Sequence, residues 1–235
     1  MGASLMIVED GARARPDLRL AMAGEGYEIA EAGDGEDALD QLRLNGPPDV
    51  VMVDLVLGDM DGFSCIREIR REHDVPIMVV TDRSDTHDVV AALEAGADDF
   101  VAEPFEIKEV TARVRALRRR AERAPGRDPR RQVLDADPGR ALELARDRGT
   151  VRRGDEDVHL TLTEFRLLCE LADEAGRVVS RAALLDRVWG GEFFGDERIV
   201  DVHVRRLRKK IERDPSEPRI VVTVRGLGYR LDLQQ

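Results

Sequence analysis

Lysine is nearly missing from this chain: three occur, at positions 108, 209 and 210, so 34 of the 37 basic residues are arginine. That bias, with abundant alanine, is the composition of a GC-rich genome. Cysteine is as scarce. Cys65 and Cys169 lie far apart in helix-patterned segments, which excludes a disulfide framework and suits reduced packing residues of a cytoplasmic protein. Long apolar runs are also lacking. The longest, such as Leu5–Val8 and Val50–Val53, are too short to span a bilayer, and no charged-then-apolar signal segment is expected at the start. No internal repeat is evident. Membrane proteins and small cross-linked secreted proteins are therefore set aside.

What remains is a chain of 235 residues, 42% hydrophobic and 36% charged, enough for two ordinary domains with their own cores. Its net charge of −11 is unevenly spread. Residues 1–123 hold 27 acids against 15 Lys/Arg, whereas 124–235 hold 21 against 22. The stretch Arg198–Arg230 has 10 basic and 4 acidic residues. An acidic first half joined to a basic last quarter fits a partner of negative charge at the C-terminal end only.

The first half alternates short apolar strands with helix-period segments. Strands are predicted at Leu5–Val8, Tyr27–Ala30, Val50–Val53, Ile77–Val80 and Phe100–Ala102. Helices are predicted near Arg13–Ala23, Glu36–Leu44, Phe63–Arg70, Asp88–Ala95 and Ile107–Arg120. Five such units imply an α/β, doubly wound, five-stranded parallel sheet, with its crevice beyond the carboxyl ends of the strands. The run RRRAERAPGRDPRR loses this periodicity and reads as a linker. Domains are thus expected at 1–121 and 132–235, with 122–131 between them. The second domain reads as short strands over Val133–Leu162, then helices at Glu164–Glu174 (capped by Thr163), Arg181–Val188 (capped by Ser180) and Glu197–Arg213. A terminal hairpin turning at Gly226 and Gly228 completes it. Three helices and a hairpin form a winged helix-turn-helix pattern.

Glu9 and Asp10 follow the first strand, and Asp54 follows the third. Parallel strands bring these carboxylates to one edge of the sheet, where they repel one another unless a cation lies among them. Mg²⁺ is the natural partner, and with it Asp54 is suited to attack a phosphoryl group, while Thr81 offers a hydroxyl. On the third helix, Val200, Val204, Leu207 and Ile211 share one face, and Arg198, Val202, Arg205, Arg206 and Lys209 fall opposite. A basic outward face on the last helix of such a unit is the geometry of a helix entering the major groove.

The strings IVED, PDVVMVDLVLGDMDG, PIMVVT and EAGADDFVAEPF resemble the receiver domain of response regulators. LTLTEFRLLCEL, VVSRAALLDRVWG, RIVDVHVRRLRKKIE and TVRGLGYRL resemble the effector domain of the OmpR/PhoB family. The resemblance covers nearly the whole chain. It implies a transcription regulator, an activator on family grounds and not an enzyme, phosphorylated on Asp54 by a histidine kinase. It implies Mg²⁺ held by Glu9, Asp10, Asp54 and the Val56 carbonyl, and a switch at Thr81 and Phe100. It implies a homodimer joined by ion pairs of Asp98, Asp99, Glu109, Arg113 and Arg120. Val89 stands where a basic residue would face Glu109. Arg205 and Arg206 would read bases, Arg198 and Arg208 hold phosphates, and Arg225 enter the minor groove of a direct-repeat operator. The loop after Trp189, with Phe193 and Phe194, would touch RNA polymerase.

One departure matters. The family has lysine before the Pro-Phe pair, and this chain has Glu103. A carboxylate there changes the local charge by two units, and one close contact with an incoming anion costs about 4 kcal/mol at ~4 Å and an effective dielectric of ~20. Asp82 adds negative charge at the mouth, and Gly58 stands where proline is usual. The expectation is an atypical receiver controlled without phosphorylation, with a small-molecule ligand as its input. The alternative is a conventional kinase-driven regulator. A phosphoryl hydrolase is the rival from another class, and it leaves the whole second half unexplained.

Overall fold

The computed structural model describes residues 2–11, 15–122, 131–190 and 197–234, with the backbone alone for 120–122. It resolves into two compact units, Met1–Ala121 and Glu122–Gln235.

In the first unit, strands β1 (Ala3–Val8), β2 (Tyr27–Ala32), β3 (Val50–Val53), β4 (Ile77–Thr81) and β5 (Asp99–Ala102) form one sheet in the order β2-β1-β3-β4-β5. Every pairing is parallel. Helices α1 (Pro16–Gly24), α2 (Gly35–Asn45), α3 (Gly62–Glu72), α4 (Thr86–Ala95) and α5 (Ile107–Glu122) make the connections. β3 and β4 are apolar on both sides and buried throughout, as a sheet covered on two faces requires. Leu5, Ile7, Val50, Met52, Met78 and Val80 pack against Leu18, Met22, Val110, Val114 and Leu117 on one face. The chain after β3 folds back on itself: Val56 bridges Asp61, and Gly62 passes so close to the Asp54 carbonyl that a Cβ would lie 2.3 Å from its oxygen. Only glycine fits there.

In the second unit, β6 (Arg131–Asp135), β7 (Leu142–Ala145), β8 (Thr150–Arg153) and β9 (Glu156–Asp157) form an antiparallel sheet in sequence order. Arg131 therefore opens a strand and is not linker; 123–130 lie outside the described residues. Then follow α6 (Leu162–Asp173), β10 (Val178–Val179), α7 (Arg181–Trp189), α8 (Arg198–Ile211) and the hairpin β11 (Val221–Val224) with β12 (Gly228–Leu231). β12 pairs with both β10 and β11. Gly228, at φ +146, runs so near the Val179 carbonyl that a Cβ would sit 2.1 Å from it, which lets the hairpin lie against β10.

Ser180 caps α7, its side chain accepting from the Ala183 amide. The cap of α6 is Thr161, not Thr163, which lies buried inside the helix. Thr161 and Glu164 satisfy each other's backbone amides in a capping box. The T-x-x-E spacing that signals it is present in the sequence, one register earlier than Thr163.

Candidate functional site

The carboxyl ends of the strands are tied together by backbone bonds. The Asp54 amide donates to the Val8 carbonyl, Glu9 to Ala32, and Glu103 to Thr81. Asp54 is 2% exposed and Thr81 fully buried. Asp54 Oδ1 accepts from the Val56 amide at 3.1 Å. Glu9, Asp10 and Phe100 are half-buried, and Asp82 is exposed. Gly58 lies beside Asp10: a Cβ there would make ordinary contact with the carboxylate at 3.7 Å.

Sequence reasoning missed Arg15, which enters this pocket from the residue preceding α1. Its Nη2 reaches Asp54 Oδ2 at 2.9 Å, its Nη1 reaches Glu9 Oε2 at 3.1 Å, and its Nε reaches Glu103 Oε1 at 2.6 Å. The Arg15 side chain is 15% exposed. Burial alone would lower its pKa, but the bonds to Glu103 and Asp54 outweigh that and raise it above the usual arginine value. Glu103 is therefore not the uncompensated charge that the sequence implied. A guanidinium from 88 positions away in the chain meets it.

The same geometry bears on the expected Mg²⁺. Glu9 and Asp54 already donate lone pairs to Arg15, and among the described residues no group of three acidic, histidine or cysteine side chains is spaced to hold a metal ion. With Arg15 in place, Glu9, Asp10, Asp54 and the Val56 carbonyl do not fit that ion.

The residues assigned to a dimer face are engaged within the chain. Asp98 pairs with Arg70, and Arg113 pairs with Asp99 at 3.0 Å and Glu109 at 2.6 Å. Asp98, Asp99 and Arg113 are buried. Strand β5 and helix α5 bring Asp99, Glu109 and Arg113 together, and Arg70 of α3 meets Asp98, so within one chain these charges already have partners, whereas the family resemblance implied ion pairs between two copies. The side chain of Arg120 lies outside the described residues.

Helix α8 carries two kinds of arginine. Arg198, Arg205 and Lys209 are exposed, and at i, i+7 and i+11 they share one face. Arg225 is exposed at the turn of the β11–β12 hairpin. Arg206, expected to face outward, is 7% exposed and its Nε lies 3.1 Å from Glu164, whose side chain is fully buried. Lys210 Nζ reaches the other Glu164 oxygen at 2.6 Å. A buried carboxylate in α6 turns Arg206 inward, because leaving either charge unpaired costs more than the outward position gains. Val202 is also buried, at 7%. Arg208 is spent on the hairpin: Nε donates to the Val221 carbonyl and Nη2 to Thr223, both at 2.8 Å. Trp189 is core, 1% exposed with its ring 5.2 Å from that of His203, and not the exposed loop side chain that the resemblance implied. Phe193 and Phe194 lie outside the described residues.

Two family models match the chain. One is the response regulator receiver domain, over residues 5–115, and the other is the C-terminal domain of transcriptional regulatory proteins, over 155–231. The transcriptional regulatory protein AfsQ1 of Streptomyces coelicolor is 42% identical over 232 residues, 99% of each chain. The DNA-binding response regulator MtrA of Mycobacterium tuberculosis is 41% identical over 226 residues, 96% of this chain and 95% of that relative. The crystal structure of DrrB, a response regulator and OmpR/PhoB homologue of Thermotoga maritima, is 30% identical with a TM-score of 0.51 and covers 99% of this chain and all of that one. With a doubly wound α/β receiver, a winged helix bearing an exposed basic face, and relatives alike over their whole length, the chain belongs to the OmpR/PhoB family of DNA-binding response regulators.

Proposed function

We propose that phosphoryl transfer from a histidine kinase to Asp54 governs how this regulator binds its operator. The observation that carries this reading is the Arg15–Glu103 pair. Glu103 in place of lysine lowers the local charge by two units, and the Arg15 guanidinium at 2.6 Å from it restores one of them. A buried Asp54 at the end of a central strand, with Thr81 ending the next, supports the same chemistry. One Asp54 oxygen attacks phosphorus, the bond from phosphorus to the donor imidazole breaks, and the imidazole leaves with its electron pair. The product is an acyl phosphate on Asp54. Relatives that share the entire two-domain layout add weight to this reading.

A second reading, control without phosphorylation by a small-molecule ligand, is favoured by one observation: Asp54 already accepts from Arg15 and Val56 in the resting pocket. Incubation with acetyl phosphate and Mg²⁺, followed by intact-mass measurement, decides between them. The kinase reading expects a single phosphoryl addition that is lost in Asp54→Asn. No addition to the wild-type chain sinks it.

On the DNA side, Arg198, Arg205 and Lys209 lie along the major groove, with Arg225 at the adjacent minor groove. Two copies on direct-repeat half-sites, activation through RNA polymerase and a cytoplasmic location complete the proposal.

A further inference from the structure

Receiver domains use Mg²⁺ at their phosphorylation site, yet the acidic edge of this sheet is satisfied from within. We propose that Arg15 is the resident cation of the pocket, that it and a divalent ion are mutually exclusive occupants, and that Glu103 is the latch that holds Arg15 in. The proposal rests on the reading that the Asp54 pocket is the regulated site of this receiver.

Three features carry it. Arg15 takes one oxygen from each of three carboxylates, at the ends of β1, β3 and β5. A divalent ion such as Mg²⁺ would need oxygen ligands from this same edge, Asp54 and Glu9 among them, and the guanidinium already occupies an oxygen of each. The approach of Arg15 is also fixed by its backbone. It precedes Pro16, the first residue of α1, and has a non-helical φ of −106 and ψ of 77. Its amide donates to Glu9 Oε1 at 3.1 Å while its carbonyl accepts from the Leu18 and Arg19 amides. The side chain thus starts from a backbone held to the rim of the pocket. Finally, the three carboxylates differ in exposure. Asp54 has none on its side chain and Glu9 13%, but Glu103 has 39% and stands at the mouth. Glu103 is the contact that solvent, an ion or a partner reaches first. Breaking it leaves Arg15 free to withdraw and uncovers Asp54.

The latch makes a prediction opposite to simple charge counting. Glu103→Gln removes a negative charge near the pocket, so ordinary electrostatics expects weaker Mg²⁺ binding. Loss of the latch expects tighter binding. Mg²⁺ is titrated into the full chain by isothermal calorimetry, with folding checked by circular dichroism. Arg15→Gln and Glu103→Gln should each bind Mg²⁺ about tenfold more tightly than the wild type, the scale of one close, partly buried charge. Arg19→Gln, which removes an equal charge paired with Glu31 outside the pocket, should stay within about twofold, as expected of an exposed charge. The proposal is overturned if Glu103→Gln binds no more tightly than the wild type, or if a folded Arg15→Gln gains no more than Arg19→Gln. Should Arg15→Gln not fold, Glu103→Gln decides alone. No phosphoryl donor enters the titration, so a chain that fails to accept phosphate leaves this result intact.

Discussion

Arg205 and Arg206 are neighbours in sequence, yet one is exposed and the other is 7% exposed beside the buried Glu164. Replacing each by alanine should therefore produce different losses. Arg205→Ala should weaken operator retention by about 1–3 kcal/mol and leave unfolding unchanged. Arg206→Ala should destabilise the second domain by about 3 kcal/mol, because it strands a carboxylate in the core. Trp189, the single tryptophan of the chain and 1% exposed, reports urea unfolding of that domain. A fully stable Arg206→Ala domain that no longer binds operator would restore Arg206 as a base reader. The helical period placed both arginines away from the Val200–Ile211 stripe. Nothing in that period reveals a buried carboxylate on a different helix.

Among the elements, the junction of α6 and α8 depends on Glu164. Burial pushes its carboxyl upward, but Arg206 and Lys210 outweigh burial and hold it below the ordinary glutamate value of 4.5. A carboxylate lowered in the native state stabilises fully above that ordinary value, and its contribution is lost as pH falls through the native value. The urea midpoint read from Trp189 should therefore fall steeply below about pH 4.5, and Glu164→Gln should already be destabilised at pH 7 and show a flatter acid limb. An acid limb identical in wild type and variant would show that Glu164 carries none of this dependence. At the next helix, Ser180→Ala should cost about 1 kcal/mol by the same readout, since it removes the bond to the Ala183 amide. Both caps are legible locally, Ser180 as a polar residue before a helical run and Thr161 by its T-x-x-E spacing; Thr163 is the nearer threonine to the apolar run but has no glutamate three residues on.

At the scale of the whole molecule, the division of charge has a measurable consequence. The receiver half is strongly acidic and the last quarter basic, so the chain as a whole, at −11, is repelled by DNA except where α8 and the hairpin face it. Operator affinity should fall linearly on logarithmic axes with added salt, and Lys209→Gln should reduce the slope by about one if Lys209 neutralises one phosphate. An unchanged slope would remove Lys209 from the interface.

The alternation of strands and helices in the first unit, the acids at the ends of β1 and β3, and the basic character of α8 were legible in the sequence alone. Each rests on residues within a few positions of one another, where apolar period and turn chemistry act directly. The tertiary structure alone decided which charges meet. Arg15 reaches Glu103 across 88 positions and Lys210 reaches Glu164 across 46. A parallel sheet brings the ends of distant strands to one edge, and helix packing sets one buried acid against whichever cation lies opposite. Those pairings depend on where the backbone has carried each side chain, which no local pattern encodes.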